Sequence, residues 1–145
     1  MIIPDVNLLL YVNIDATPQH AKARPWFERL LNDDEPVGFA PAAVLGFVRL
    51  ATSRRVYAEP LTVEDAVGRV RAWLARPQAV LLEQTREVVS QTLELLIEAG
   101  AAGNLTTDAQ LAAHALVQRA TIASADGDFA RFPRVKWVNP LRPSR

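Results

Sequence analysis

The sequence predicts an α/β fold: a three-layer α/β/α sandwich with a mostly parallel sheet, in a single domain. Three observations carry that expectation. Short apolar runs alternate with longer stretches of helical periodicity, the pattern of strands joined by helical crossovers. No repeat, low-complexity tract or linker interrupts the 145 residues. That length suits one domain, which can bury about two-thirds of the surface its unfolded chain exposes.

Met1–Ile3 is a first short strand ending in Pro4-Asp5, and Val6–Val12 continues as a helix. Thr17-Pro18 offers an N-cap followed by a proline at the first helical position. The helix it opens carries Trp26, Phe27, Leu30 and Leu31 at core-facing spacing. Val37–Phe39 is the second strand, and Pro41 leads the helix AAVLGFVRLATSRR. Thr62-Val-Glu-Asp65 is a capping box opening the helix with Val67, Val70 and Leu74. Val80–Leu82 is a third strand. Glu87 to Ala99 is helical and closes on Gly100. After a loop, Asp108 to Arg119 is a helix, and strands at Thr121–Ala123 and Lys136–Val138 finish the domain, residues 1–140. Residues 141–145 read as a basic tail.

Composition removes several classes of function. Sixteen acids balance sixteen bases, so no global charge excess points to nucleic acid or membrane, and any binding patch must come from local segregation. The absence of cysteine excludes a disulfide framework, thiolate zinc sites and a cysteine nucleophile. The N-terminus MIIPDVNLLLYV lacks a basic n-region and meets an acid at position 5, unlike a signal peptide. No apolar run approaches the ~20 residues of a membrane span. A cytoplasmic location without membrane association is expected.

The acids hold the chemistry. Parallel sheets bind ligands beyond the carboxyl ends of their strands. Asp5 follows the first strand, and Asp126 and Asp128 follow the strand Thr121–Ala123 in the stretch SADGDF. Taken singly, Asp5 is also an ordinary N-cap and SADGDF an ordinary turn. Asp108 decides between these readings. At 100° per residue the polar stripe of its helix is Thr107, Gln110, His114 and Gln118, and Asp108 is centred on the opposite stripe with Leu111, Ala112 and Ala115. A first-turn acid favours the helix dipole, but that does not explain one directed inward, where a charge is costly unless paired. Carboxylates sharing a crevice raise one another's pKa unless a cation sits among them. Mg2+ or Mn2+ suits such an all-oxygen site and serves phosphodiester hydrolysis.

Other candidates are weaker. His114 on the polar stripe and His20 near a helix start are expected to be solvated. Two histidines and no cysteine argue against zinc. Ser124 has no histidine at motif spacing and there is no Gly-rich phosphate loop. An aspartyl-phosphatase would want a second acid two residues after Asp5, where Asn7 stands. Arg49, Arg54 and Arg55 form one basic cluster, and Arg131, Arg134, Lys136, Arg142 and Arg145 another; either suits phosphate contacts.

Three segments, DVNLLLYV, GNLTTDAQLAAHAL and ASADGDFARFP, together with LGFVRLATSRRV and VKWVNPL, resemble the PIN domain of prokaryotic VapC toxins over nearly the whole chain. The resemblance implies a Mg2+- or Mn2+-dependent endoribonuclease that cuts structured RNA such as tRNA or rRNA and is neutralised by a VapB-like antitoxin. It matches Asp5, Asp108 and Asp126 to the family's catalytic and metal-binding acids and Asp128 to an accessory metal-binding acid. Asn7 and Ser124 match its polar helpers. The usual glutamate of the third helix is replaced by Gly46, and no acid lies between Pro36 and Ala58. One metal is therefore expected rather than two. That glycine also supports the alternative of a catalytically degenerate binding module working through its antitoxin in operon repression. A homodimer is expected, with Trp26, Phe27 and Trp73 as surplus aromatic surface. An antitoxin segment would then line the groove toward the acids and place a basic residue among them.

Overall fold

The structure is a computed structural model that describes residues 1–143. Five strands, β1 (Ile2–Pro4), β2 (Val37–Phe39), β3 (Ala79–Leu81), β4 (Thr121–Ala123) and β5 (Lys136–Val138), form one sheet in the order β3-β2-β1-β4-β5. Every neighbouring pair is parallel. Six helices surround it: α1 (Val6–Asn13), α2 (His20–Asn32), α3 (Pro41–Ala51), α4 (Val63–Leu74), α5 (Arg86–Ala99) and α6 (Leu105–Gln118). This is the expected α/β sandwich.

From β1 the chain steps outward to β2 and β3, then returns to the other side of β1 for β4 and β5. The gap between β1 and β4 is thus the point where strand order reverses, the place where open parallel sheets bind ligands. Central strands are covered on both faces, and all of β2 is buried. Its middle residue is tightly enclosed: a Cβ at Gly38 would lie 2.8 Å from Met1 Sδ and 3.1 Å from Ile3 Cγ1, so a larger residue would force the Met1 side chain aside.

Aromatic packing corrects one expectation. Trp73 is buried, with Phe27 edge-on at 5.5 Å, Phe39 stacked at 6.0 Å and Phe47 at 5.0 Å. Phe27 is buried as well, and Trp26 is partly buried against the core. These rings tie α2, α3 and α4 to β2 and leave no surplus surface. A single wheel of apolar positions does not reveal that four elements deliver aromatics to one point.

Several boundaries move for local reasons. Thr17 does not cap α2; its Oγ1 donates to Ile14 O at 2.7 Å, and the helix begins at His20. The third helix stops at Ala51, where Thr52 Oγ1 bonds back to Val48 O at 2.7 Å, so Arg54 and Arg55 lie in the turn beyond it. The third strand begins one residue earlier than expected, at Ala79. Thr62 and Thr85 cap α4 and α5 by accepting from Asp65 N and Val88 N. Leu141 of the expected tail is partly buried against the core, and Ser144 and Arg145 lie outside the described residues.

Both long C-terminal helices end in the left-handed region. For α5 the residue is Gly100, where that conformation is free of strain. For α6 it is Arg119, at φ 54° and ψ 41°, where a side chain is strained. Among the described residues no helix is long and apolar enough to cross a membrane.

His114 is a second correction. It is fully buried rather than solvated, and its Nε2–H donates to Gln84 Oε1 at 3.1 Å. Helix α5 packs along α6, and of the stripe that periodicity assigned to water His114 is buried and Gln110 half-buried while Thr107 and Gln118 stay exposed. Burial pushes the imidazole pKa down, which keeps the ring neutral. His20 Nδ1 lies 2.9 Å from Tyr11 O in a half-buried contact.

Candidate metal centre

The acids meet at the carboxyl edge of β1 and β4. Asp5 leaves β1 as the N-cap of α1, with its amide donating to Ala123 O at 2.9 Å across the sheet. That bond fixes where the side chain emerges. Oδ1 then accepts from Val6 N at 2.7 Å and Oδ2 from the Ser124 hydroxyl at 2.8 Å. Asp5 is almost fully buried. Burial raises its pKa most; the two hydrogen bonds oppose this, and Asp126 adds to it.

Ser124 is fully buried and works in two directions. Its Oγ donates to Asp5 and accepts from Asp126 N at 2.9 Å, while its own amide donates to Val138 O at 2.9 Å. The turn after β4 is thereby tied to β5 and to the acid of β1. Asp126 in turn caps a short 3-10 helix, Gly127–Arg131, with Oδ1 accepting from Asp128 N at 2.9 Å. This helix was not expected from the sequence. It turns Asp128 back toward Asp126.

Asp108 lies in the first turn of α6, which starts at Leu105 rather than at 108, and is half-buried. One oxygen each from Asp108, Asp126 and Asp128 lie within 4.8 Å of one another. Burial raises the Asp108 pKa most, followed by the charges of Asp5, Asp126 and Asp128, to about 7. Four acids are therefore felt at one point. The three carboxylates are gathered around a common space, and Asp5 stands beside them, linked to Asp126 through Ser124. Asn7 is half-buried in the first turn of α1. Arg49, Arg54 and Arg55 are exposed.

The donor set fits a hard divalent cation. At 2.0–2.1 Å per bond, neighbouring oxygens around Mg2+ are about 2.9 Å apart and opposed ones about 4.2 Å; the three carboxylate oxygens lie within 4.8 Å of one another, a gathering that small side-chain rotations would close onto one ion. Without a cation the cluster is internally repulsive, as the Asp108 pKa records. On α3, position 46 is open: a Cβ there would touch only Val6 Cγ2, at 3.5 Å. The chain thus carries no acid on α3 facing the Asp5 side, and no bulky side chain fills the place.

Comparison with known proteins gives this arrangement a family. Residues 2–135 match the PIN domain family model. Ribonuclease VapC33 of Mycobacterium tuberculosis is 46% identical over 142 residues, 98% of this chain and 99% of the relative. The chain belongs to the PIN-domain family of VapC ribonucleases. Solved PIN-domain structures repeat the fold at low identity. M. tuberculosis VapC20, described as a sarcin-ricin loop cleaving toxin, matches with a TM-score of 0.70 and 16% identity over 90% of this chain and 93% of that one. VapBC2 of Rickettsia felis, described as bound to a DNA fragment from their promoter, matches at 0.68 and 18% over 96% and 98%.

Proposed function

We propose that this PIN-domain protein is a Mg2+- or Mn2+-dependent endoribonuclease and the toxin of a toxin–antitoxin pair, cutting structured RNA such as tRNA or rRNA in the cytoplasm. The observation that carries this is Asp108, an acid raised to about 7 by burial and three other acids at the switch point of the sheet. Asp108, Asp126 and Asp128 would hold the cation, with Asp5 as a fourth acid at its side. When bound, the cation activates water and offsets negative charge on the scissile phosphate. Ser124 keeps Asp5 and the Asp126 turn in register, and Asn7 contributes a polar group near Asp5. Asp108 would hold the cation as its carboxylate, any proton it carries passing to solvent. Arg49, Arg54 and Arg55 supply exposed positive charge for the RNA backbone.

The test is cleavage of mixed tRNA and rRNA by the purified protein. Hydrolysis is expected with Mg2+ or Mn2+, none with a chelator, and full recovery on adding either metal back. Cleavage at an undiminished rate in chelator would overturn the metal requirement.

A VapB-like antitoxin fits the same geometry. A segment entering the groove with an arginine or lysine would place a positive charge among the four acids and relieve their repulsion. The protein is also proposed to be a homodimer. The support is not the aromatic surface expected from sequence but α5, where Val89, Leu93 and Ile97 follow one another at helical spacing and Ile97 is 83% exposed. Three apolar side chains on one open stripe are the kind of surface that a second copy covers. Light scattering at micromolar concentration is expected to give twice the chain mass, and Ile97→Glu to give a folded monomer whose melting temperature no longer depends on protein concentration. A monomeric parent would remove the dimer.

A further inference from the structure

At the opposite edge of the sheet lies a cavity of about 280 Å3 that the acid site does not use. The parallel register puts Thr121 and Lys136 at the amino ends of their strands, level with Ile2. Arg119 and Arg134 each precede such a strand by two residues, so both sit at that edge with Lys136. The cavity has an apolar floor of Ala115, Leu116 and Val135 and a rim of Arg119, Arg134 and Lys136. All three cations are exposed, and Arg134 is held by Glu98 through bonds of 2.9 and 3.2 Å. Two positive charges remain beside that pair.

Arg119 adds an independent reason. It occupies the left-handed position after α6, where α5 uses glycine. Retaining a long cationic side chain there costs backbone strain of about 1 kcal/mol or more. The strain aims an arginine at the cavity rim that an unstrained glycine would not supply.

We propose that this pocket is a second contact for RNA, gripping backbone phosphates of a structured substrate whose scissile bond lies at the acids. The inference rests on the ribonuclease reading above. Three-residue strands put about 10 Å of sheet between the two edges at ~3.3 Å per residue, and an RNA must go round the helices that cover the sheet rather than through it. Modules that bind double-stranded RNA span about 16 base pairs, so a folded RNA is long enough to engage both edges while a short oligonucleotide is not. The pocket therefore selects for large, folded substrates through charge and reach, without reading bases.

The discriminating protein carries Arg119→Gly and Lys136→Gln. Glycine suits the left-handed position, so the melting temperature is expected to hold or rise. Binding is read with mixed tRNA in chelator, where nothing is cleaved. Affinity is expected to fall roughly tenfold, and the slope of log affinity against log salt to shrink by about 1.5 for two lost phosphate contacts. With metal present, KM for tRNA should rise by a similar factor at constant kcat, while cleavage of a short single-stranded oligonucleotide stays unchanged. Equal tRNA affinity and salt slope in parent and variant would overturn the pocket, as would an equal loss on the short oligonucleotide. Loss of poly-glutamate binding with tRNA binding intact would overturn it in favour of an acidic polypeptide. A parent that binds tRNA through these residues yet cleaves no RNA removes the ribonuclease reading and leaves the pocket standing.

Discussion

Asp108→Asn is expected to slow RNA hydrolysis by at least about a hundredfold while the protein folds as before. Loss of one preorganised electrostatic element at a reacting centre is worth about 10²–10³ in rate. Folding is spared because the substitution keeps the shape and removes one charge from four that repel. The pH dependence of stability separates this from a merely structural role. Asp108 titrates at about 7 in the folded, metal-free protein and near 3.8 when unexposed to its neighbours. Between those values the folded chain binds the extra proton. Stability from this group is thus full below pH ~4 and is lost as pH rises through about 7. The shift corresponds to at most about 4 kcal/mol at 1.36 kcal/mol per unit, reduced by the water that reaches a half-buried carboxyl. Asp5, also raised, acts in the same direction. Melting in chelator at pH 5 and pH 8 should show the parent losing stability with rising pH and Asp108→Asn losing distinctly less. A variant that melts like the parent at both pH values and cleaves RNA at the parental rate would falsify the metal-nuclease reading and leave the binding module in its place.

Gly46→Glu is expected to tighten Mn2+ binding by tenfold or more and to lower the stability of the metal-free protein. The place is open, with only Val6 Cγ2 within ordinary contact of a new Cβ. A glutamate there extends from α3 over the first residue of α1, next to Asp5. Two effects on the metal-free fold oppose each other. Glycine to glutamate within a helix gains up to about 1 kcal/mol in propensity. A fifth acid near four others costs more than that where carboxyls are already desolvated, as the raised Asp5 and Asp108 show. The metal-free variant should therefore melt lower, and saturating Mn2+ should raise its melting temperature by more than it raises the parent's. Calorimetry checks the affinity directly. Unchanged Mn2+ affinity with a lowered melting temperature would mean that position 46 lies outside the reach of the cation, and that the glycine is no vacancy in the ligand set.

Much of this site is legible in the chain because its acids obey local rules. Asp5 and Asp126 follow short apolar runs, which marks strand ends, and parallel sheets collect their ligands there. Asp108 shows itself by its angle on a helix, a signal that survives although α6 starts three residues before the expected boundary. What local rules do not contain is the company each residue keeps. The stripe with His114 has the periodicity of a wet surface, and at Thr107 and Gln118 it is one; only the packing of α5 along α6 accounts for the buried histidine between them. The serine at 124 carries no motif for its paired hydrogen bonds, since its two partners lie 119 residues before it and two after. Asp128 owes its position to a 3-10 turn whose sequence, GDFAR, has no helical period to detect. Arg119 did have a signal: a helix with a clear end and no glycine or asparagine after it. Aromatic content was misread as surface because the meeting of Phe27, Phe39, Phe47 and Trp73 is a property of four elements, not of any one.

The central place of β1 has a consequence in time. It is made before the other four strands, yet its partner β4 lies in the last quarter of the chain. At about 5–20 residues per second, roughly 6 to 24 s separate the synthesis of Asp5 from that of Ser124, 119 residues later. Through that interval the middle of the sheet has one open side and the buried acid has no hydroxyl to receive. The acid site therefore exists only once the last quarter of the chain is in place.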